Sequence, residues 1–321
     1  MKILINDGMH SDAIIKLKTS GFEVDTVTID QEMLPEFLKN YNAIVVRSAT
    51  KIRKDLIDLA PNLKVIGRAG VGMDNIDVEY ARSKGISVLN TPAASSQSVA
   101  ELVFAHLFSM SRNLFQSNRQ MPEQGATDFK SLKKACSKGI ELRGKTLGII
   151  GFGRIGQSVA RMALGLGMNV MPFKLNHDQV KISIDFFKIK DAEMTITVTV
   201  DNYEELLSQS DFITLHVPFP PGAKPVLTTN QFNLMKDGVM VVNTSRGGVI
   251  VEADLLAALN EGKVAAAALD VFENEPMPNQ EILSHPKISL SPHIGASTVE
   301  AQRRIGMEMA DKLISIFKEE K

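Results

Sequence analysis

Short, unbroken runs of apolar and β-branched residues, separated by amphipathic stretches, constrain this chain more than any other feature. They are Lys2-Ile3-Leu4-Ile5, Ala43-Ile44-Val45-Val46, Lys64-Val65-Ile66 and Ile86-Ser87-Val88-Leu89. A second series follows: Thr146 to Ile150, Asn169 to Phe173, Phe212 to His216, Val239 to Asn243, Ala265 to Leu269 and Ile288 to Leu290. A strand with one face in water alternates apolar and polar residues; a run without alternation needs cover on both faces, which helices packed on a parallel sheet supply. The two series predict an α/β protein of two doubly wound parallel-sheet domains. With 321 residues, 44% of them hydrophobic, the chain can fill two cores.

Between the series, Val99, Leu102, Val103, His106, Leu107 and Met110 recur at spacings of three and four, which predicts one long helix bridging the domains. Residues 117–144 lose that period and read as an exposed connection or a loop that contacts ligand, and 175–200 read as an unusual excursion before Tyr203. A last helical pattern, with Ile305, Met309, Leu313 and Ile316 on one face, is expected to dock back on the first domain. A net charge of −1 argues against nucleic acid held by bulk charge, and the single cysteine, Cys136, excludes an intramolecular disulfide and suits a reducing cytoplasm. No run reaches membrane-spanning length, the first ten residues do not read as a signal peptide, and no metal site is read.

The strand Thr146 to Ile150 runs directly into Gly151-Phe152-Gly153-Arg154-Ile155-Gly156, after which Val159, Ala160, Met162 and Ala163 continue with helical spacing. In that setting glycines permit a tight turn and close approach of a pyrophosphate, and the helix N-terminus offers free N–H groups. An acidic residue for the adenine ribose is expected at the end of the next strand, but Lys174 stands there. A cation there suits a ribose 2′-phosphate, so NADP stands beside NAD; a solvated lysine is the alternative.

Three late segments each follow a strand with a reactive side chain: Asn243-Thr244-Ser245-Arg246-Gly247-Gly248, Asp270-Val271-Phe272-Glu273-Asn274-Glu275-Pro276 and Ser291-Pro292-His293-Ile294-Gly295. Ligands of open α/β sheets bind beyond the carboxyl ends of strands, so Arg246, Glu275 and His293 are expected to converge. Together they would supply a cation for a carboxylate, a carboxylate to orient a base, and the acid/base itself. Singly each has a plainer reading: a solvating arginine, an exposed turn glutamate, one of six histidines. His106, on the apolar helix face, reads as packed, and His216 as bordering a cofactor without reacting.

In order along nearly the whole chain, these segments resemble the D-isomer-specific 2-hydroxyacid dehydrogenase family. The resemblance is carried by Val46 to Ile52, Gly67 to Asp77, Asn90-Thr91-Pro92, Ala100-Glu101-Leu102, the glycine turn, and the late segments through Thr298. It implies a flavodoxin-like substrate domain of residues 1–97 with 295–321, a Rossmann cofactor domain of 98–294 inserted between, and a cleft between the two. It implies His293 as general acid/base, Glu275 hydrogen-bonded to it and favouring the imidazolium, and Arg246 on the substrate carboxylate and reacting carbonyl. NAD is the implied cofactor, with Gly151, Gly153, Arg154, Ile155, Gly156, Lys174, His216, Val217, Pro218, Thr244, Ser245, Asp270, Gly295 and Ala296 around it. Ala69, Gly70 and Val71 would bind the carboxylate and Arg47 a phosphate, with Lys133 and Lys134 either assisting or, as the favoured reading, forming a solvated patch. The implied substrate is a D-2-hydroxy acid, foremost 3-phosphoglycerate, as in serine biosynthesis. A glyoxylate or hydroxypyruvate reductase, or an NAD(H)-sensing corepressor-like binding protein, are the alternatives. A homodimer through the cofactor domain is expected, with no nucleic-acid or membrane partner. The chain departs from the pattern in Lys174, in residues 175–200 and in having no tryptophan. It also ends at Lys321, so serine feedback through an appended regulatory domain is not expected.

Overall fold

The computed structural model describes residues 1–185 and 193–319. The chain divides into two compact units, residues 1–98 with 296–321, and residues 99–295.

The first unit carries strands β1 (Lys2–Ile5), β2 (Glu23–Asp25), β3 (Ala43–Val46), β4 (Val65–Arg68) and β5 (Ser87–Asn90). They form one sheet, all parallel, in the order β2-β1-β3-β4-β5, the flavodoxin-like order. Successive side chains point to opposite faces, and each face has its own core: Ile3, Ile5, Ala43 and Val45 enter one, Leu4, Ile44 and Val46 the other. Two covered faces are the physical reason these runs show no alternation.

The terminal helix Val299–Glu319 lies in the first of those cores, with Ile305, Met309, Leu313 and Phe317 buried. Complete burial of such a side chain contributes about 1.5–3 kcal/mol, as an upper estimate. Gly67 on β4 leaves room for the Met309 side chain, since a Cβ there would lie 2.7 Å from Met309 Sδ and the thioether would have to shift.

The second unit carries β6 (Thr146–Ile150), β7 (Asn169–Phe173), β8 (Gln179–Asp185), β9 (Glu193–Thr199), β10 (Phe212–Leu215), β11 (Val239–Asn243), β12 (Val264–Leu269) and β13 (Ile288–Leu290). Six of them build a parallel sheet in the order β13-β12-β11-β10-β6-β7. Alternate residues again divide, Ile150, Ile213 and Val241 into one core, Leu147, Ile149 and Val242 into the other. The helix Ser96–Ser111 covers the second of these with Val103, Phe104, Leu107 and Met110.

Two stretches differ from expectation. Residues 117–144 are not an irregular connection throughout, since helices occupy Leu114–Gln124 and Phe129–Ala135. The first buries no residue and has Pro122 inside it, and the second buries only Leu132, so their polar composition reads as a connection. The 175–200 excursion holds β8 and β9, an antiparallel pair outside the main sheet, and its middle, 186–192, lies outside the described residues. Val180 and Ile182 of β8 are buried in the core that the helix Ser96–Ser111 covers. No helix among the described residues is long and apolar enough to cross a membrane.

Candidate active site

Parallel register lines up the strand ends of the second unit. Leu290, Leu269, Asn243, Leu215, Ile150 and Phe173 form one row across the sheet. The residues that follow them, Ser291, Asp270, Thr244, His216, Gly151 and Lys174, therefore start loops on a common edge. That carboxyl edge binds ligands in open α/β sheets, where strand order reverses. Here the reversal falls between β6 and β10.

The glycine turn sits at the reversal. Gly151 has φ 95°, and a Cβ on it would lie 2.5 Å from the His216 carbonyl oxygen. A Cβ on Gly156 would lie 2.5 Å from the Gly151 carbonyl oxygen. Gly153 is different: it is exposed, it precedes the helix Arg154–Gly165, and nothing lies within 4 Å of where its Cβ would stand. The first turn of that helix, with exposed Arg154 and half-buried Ile155, has N–H groups without helical partners.

Next to the turn, His216 Nε2 meets Thr214 Oγ1 at 3.0 Å, while Nδ1 is buried without a partner among the described residues. Burial pushes this imidazole down to about 3, so it is neutral. Val217 packs beside Gly151 and Pro218 is exposed. Thr244 Oγ1 is a second buried polar atom with no partner among the described residues. An open Gly153, unpaired helix N–H groups and two orphaned polar atoms on one edge fit a dinucleotide: phosphates at the turn, and polar ring substituents near His216 and Thr244. Lys174 is half-buried at the far end of the row.

Beyond β11, Asn243 Oδ1 accepts from Ser245 N (3.0 Å) and Ser245 Oγ (2.7 Å), and Asn243 Nδ2 donates to Arg246 O at 2.9 Å. One side chain thus staples the Arg246 loop. Arg246 Nη1 donates to Ser245 O at 2.6 Å. Gly247 packs so tightly on the Phe272 carbonyl that no Cβ fits, which joins this loop to the one bearing Glu275. Glu252 and Glu273 tie the same loops reciprocally, each backbone N–H donating to the other's carboxylate at 2.9 Å.

Glu275 is held at both oxygens: Oε1 accepts from Phe272 N at 2.9 Å, and Oε2 lies 2.7 Å from His293 Nδ1. Partial burial pushes its carboxyl up. The His293 hydrogen bond, the Phe272 N–H and the nearby Arg246 guanidinium outweigh that and hold it below its ordinary range. An ionised carboxylate only accepts, so His293 carries its proton on Nδ1 and presents Nε2 as the basic nitrogen. His293 has φ 55°, and Asp270 holds the turn, its Oδ1 accepting from Ile294 N (2.8 Å) and its Oδ2 from Gly295 N (2.9 Å).

Arg246, Glu275 and His293 thus lie on one edge with the glycine turn, His216, Thr244, Ser245, Asp270 and Gly295. Ala296 does not belong to that unit; it falls in the first, where its carbonyl accepts from Gln302 Nε2 at 2.7 Å. Arg47, Ala69, Gly70 and Val71 also lie in the first unit, in loops after β3 and β4. Asp7 holds the Arg47 loop by accepting from Arg47 N (2.6 Å) and Thr50 N (3.1 Å). Gly70 has φ 150°, and Asn90 Nδ2 donates to Val71 O at 2.8 Å. Sequence reasoning missed Asn243, Asp7 and the Glu252–Glu273 pair. The available signal for Asn243 and Asp7 was a polar residue where an apolar strand run ends.

A doubly wound sheet with this turn and an imidazole–carboxylate pair on the same edge defines a dinucleotide-binding protein of the kind dehydrogenases use. The family model for the D-isomer specific 2-hydroxyacid dehydrogenase, NAD binding domain, matches residues 104–295. The D-3-phosphoglycerate dehydrogenase of Methanocaldococcus jannaschii is 44% identical over 321 residues, covering 100% of this chain and 58% of that protein. The chain thus spans little more than half the length of that relative. The hydroxypyruvate reductase of Thermotoga maritima is 40% identical over 323 residues, covering 99% of this chain and 98% of the relative. Among solved structures, a glyoxylate reductase from Paecilomyes thermophila superposes with TM-score 0.83 at 28% identity, covering 100% of this chain and 96% of the other. The chain belongs to the D-isomer specific 2-hydroxyacid dehydrogenase family, and its second unit is that family's NAD-binding domain.

Proposed function

We propose that the chain interconverts a D-2-hydroxy acid and its 2-oxo acid, with 3-phosphoglycerate and 3-phosphohydroxypyruvate the favoured pair. The carrying observation is the 2.7 Å His293–Glu275 contact on the edge that holds the glycine turn and Arg246. When bound, the nicotinamide supplies the hydride acceptor or donor. In the oxidative direction His293 Nε2 takes the hydroxyl proton. Glu275, fixed by Phe272 N, keeps the ring oriented and offsets the positive charge it gains. Arg246 binds the substrate carboxylate and polarises the reacting carbonyl.

Arg47 is assigned to the substrate phosphate and the Ala69–Val71 backbone to its carboxylate. Hydrogen bonds to a charged group contribute about 1.5–3 kcal/mol, so Arg47→Ala is expected to raise the KM for 3-phosphoglycerate roughly ten- to a hundredfold. The KM for glyoxylate should be unchanged; an unchanged KM for 3-phosphoglycerate removes the phosphate assignment. The Thermotoga maritima relative favours hydroxypyruvate reduction as the second reading. Following reduced cofactor at 340 nm with NAD and NADP against 3-phosphoglycerate, hydroxypyruvate and glyoxylate decides between them. Absence of turnover on all three, with tight dinucleotide binding, would favour a cofactor-sensing binding protein.

Lys174, at the strand end where a ribose-binding carboxylate is expected, makes NADP usable beside NAD. Lys174→Asp is expected to lower kcat/KM for NADP on the order of ten- to a hundredfold relative to NAD. An NAD-specific wild type, indifferent to this change, sinks the assignment.

Homodimerisation is assigned to the second unit. Phe108, Leu114, Met121 and Phe129, on successive helices, are 44%, 56%, 43% and 56% exposed and are the apolar side chains that this unit would offer to such an interface. Sedimentation equilibrium should return twice the 35.1 kDa chain mass; a monomer refutes the assignment. A cytoplasmic location is in keeping with the single thiol, Cys136, and cell fractionation tests it.

A further inference from the structure

A chain of buried polar side chains runs behind the His293 turn, and the proposed mechanism does not use it. His106 projects from the helix Ser96–Ser111 with its Nδ1 at 2.9 Å from Ser289 Oγ and its Nε2 at 3.0 Å from Ser291 Oγ. Ser291 Oγ donates to Asp270 Oδ1 at 2.6 Å, and Asp270 accepts the Ile294 and Gly295 N–H groups that flank His293 on its C-terminal side. His106, Ser289, Ser291 and Asp270 are 5%, 5%, 8% and 1% exposed, so solvent does not compete for these bonds.

The direction of every proton in this chain follows from its end. A carboxylate has no hydrogen to give, so the single Ser291 hydroxyl proton points to Asp270. Ser291 Oγ must then accept from His106, which places the imidazole proton on Nε2. Nδ1 is left with a lone pair and accepts the Ser289 hydroxyl. Burial pushes the His106 imidazole down, against the pull of the Asp270 charge, in keeping with a neutral ring. A leucine here would suit the neighbouring Val103 and Leu107 but would leave Ser291 free to turn its proton away from Asp270.

We propose that His106 is a positioning residue of the His293 turn: by donating from Nε2 to Ser291 it commits the Ser291 proton to Asp270, whose carboxylate then holds the left-handed His293 backbone in place. A free Ser291 hydroxyl samples other directions, and Asp270 loses one of the three donors that fix its plane. The Ile294 and Gly295 N–H groups lose a rigid anchor, and His293 Nε2 wanders from its working position. This inference rests on His293 being the acid/base.

The test compares His106→Leu, which removes both hydrogen bonds, with His106→Gln, whose amide retains a donor near Nε2. In His106→Leu, kcat should fall on the order of ten- to a hundredfold, the loss expected when a reacting group is misplaced by about 1 Å. Substrate KM and cofactor affinity should hold within about twofold of wild type, a split that no change in substrate or cofactor binding would produce. His106→Gln should recover most of the loss. In a Ser291→Ala background His106→Leu should have little further effect, since the path is already cut. A fall in thermal stability with kcat intact, failure of glutamine to rescue, or full additivity with Ser291→Ala overturns the proposal. Nitrogen-15 spectra of the histidine rings and of the Ile294 and Gly295 amides provide a readout without substrate. His106 should show the Nε2–H tautomer, and both amide signals should move in His106→Leu. An Nδ1–H tautomer refutes the relay even if the functional reading stands, whereas a wild type inactive on every 2-oxo acid, with the spectra as expected, refutes that reading and leaves the relay intact.

Discussion

Replacing His293 by alanine is expected to lower kcat on the order of a hundred- to ten-thousandfold, the range for loss of a positioned acid/base. Dinucleotide affinity should stay close to that of wild type, because the ring's hydrogen bond goes to Glu275, whereas the phosphates are assigned to the separate turn at residues 151–156. The variant also removes the hydrogen bond that does most to lower the Glu275 carboxyl, leaving burial, which acts in the opposite direction, less opposed. In wild type this folded-state value is depressed, so the pairing contributes stability above the unfolded carboxyl value and loses it as pH falls through the folded one. The stability difference between wild type and His293→Ala should therefore be largest at neutral pH and shrink in acid. Stopped turnover with preserved NADH binding and that pH trend supports the assignment; turnover within about tenfold of wild type removes His293 from the chemistry.

The common edge of the second unit was legible because strand ends in a parallel sheet are positions of known consequence. Each uninterrupted apolar run ends at a residue of different character, and register then starts the loops of Gly151, His216, Thr244, Asp270 and Ser291 on one edge. Pairing across the row was harder to see. That Glu275 Oε1 takes Phe272 N, leaving Oε2 for His293, depends on the path of a short loop that composition does not encode. His106 was read as a packed residue from its place on an apolar helix face, and it is buried. Its partners, Ser289 and Ser291, lie 183 and 185 positions away and no local pattern links them. The helices Leu114–Gln124 and Phe129–Ala135 were hidden for another reason: both are short and mostly polar, and Pro122 stands inside the first, where a proline ordinarily reads as a break. In the β8–β9 pair the trace existed, Val180, Ile182 and Ile184 alternating with polar residues, but an added antiparallel pair falls outside the strand–helix alternation of a doubly wound sheet.

Gly151→Ala and Gly153→Ala should separate the folding role of the glycine turn from its binding role. At Gly151 the backbone has φ 95°, and the new methyl would stand 2.5 Å from a carbonyl oxygen of the next strand's exit, His216. Neither group is the flexible end of a side chain, so the backbone must move. Strain in this φ region costs about 1–3 kcal/mol and overpacking a further 1–3. At roughly 2–4 °C per kcal/mol for a unit of this size, the melting temperature should fall by about 5–20 °C, with cofactor binding lost alongside. At Gly153 the values are φ −85° and ψ −157°, open to any residue, and the methyl meets nothing within 4 Å. Folding should be unharmed, or helped by about 0.4–1 kcal/mol through a less flexible unfolded chain. The same methyl would fill the space through which a pyrophosphate reaches the helix N-terminus, so NADH affinity should drop on the order of ten- to a hundredfold, about 1.4–2.8 kcal/mol. The chain contains no tryptophan, so NADH emission can be titrated directly without energy transfer from that source, beside a thermal melt of each variant. A Gly153→Ala protein that binds NADH as tightly as wild type would mean that the open space at the turn is not where phosphates lie, and the dinucleotide assignment of this edge would fall with it.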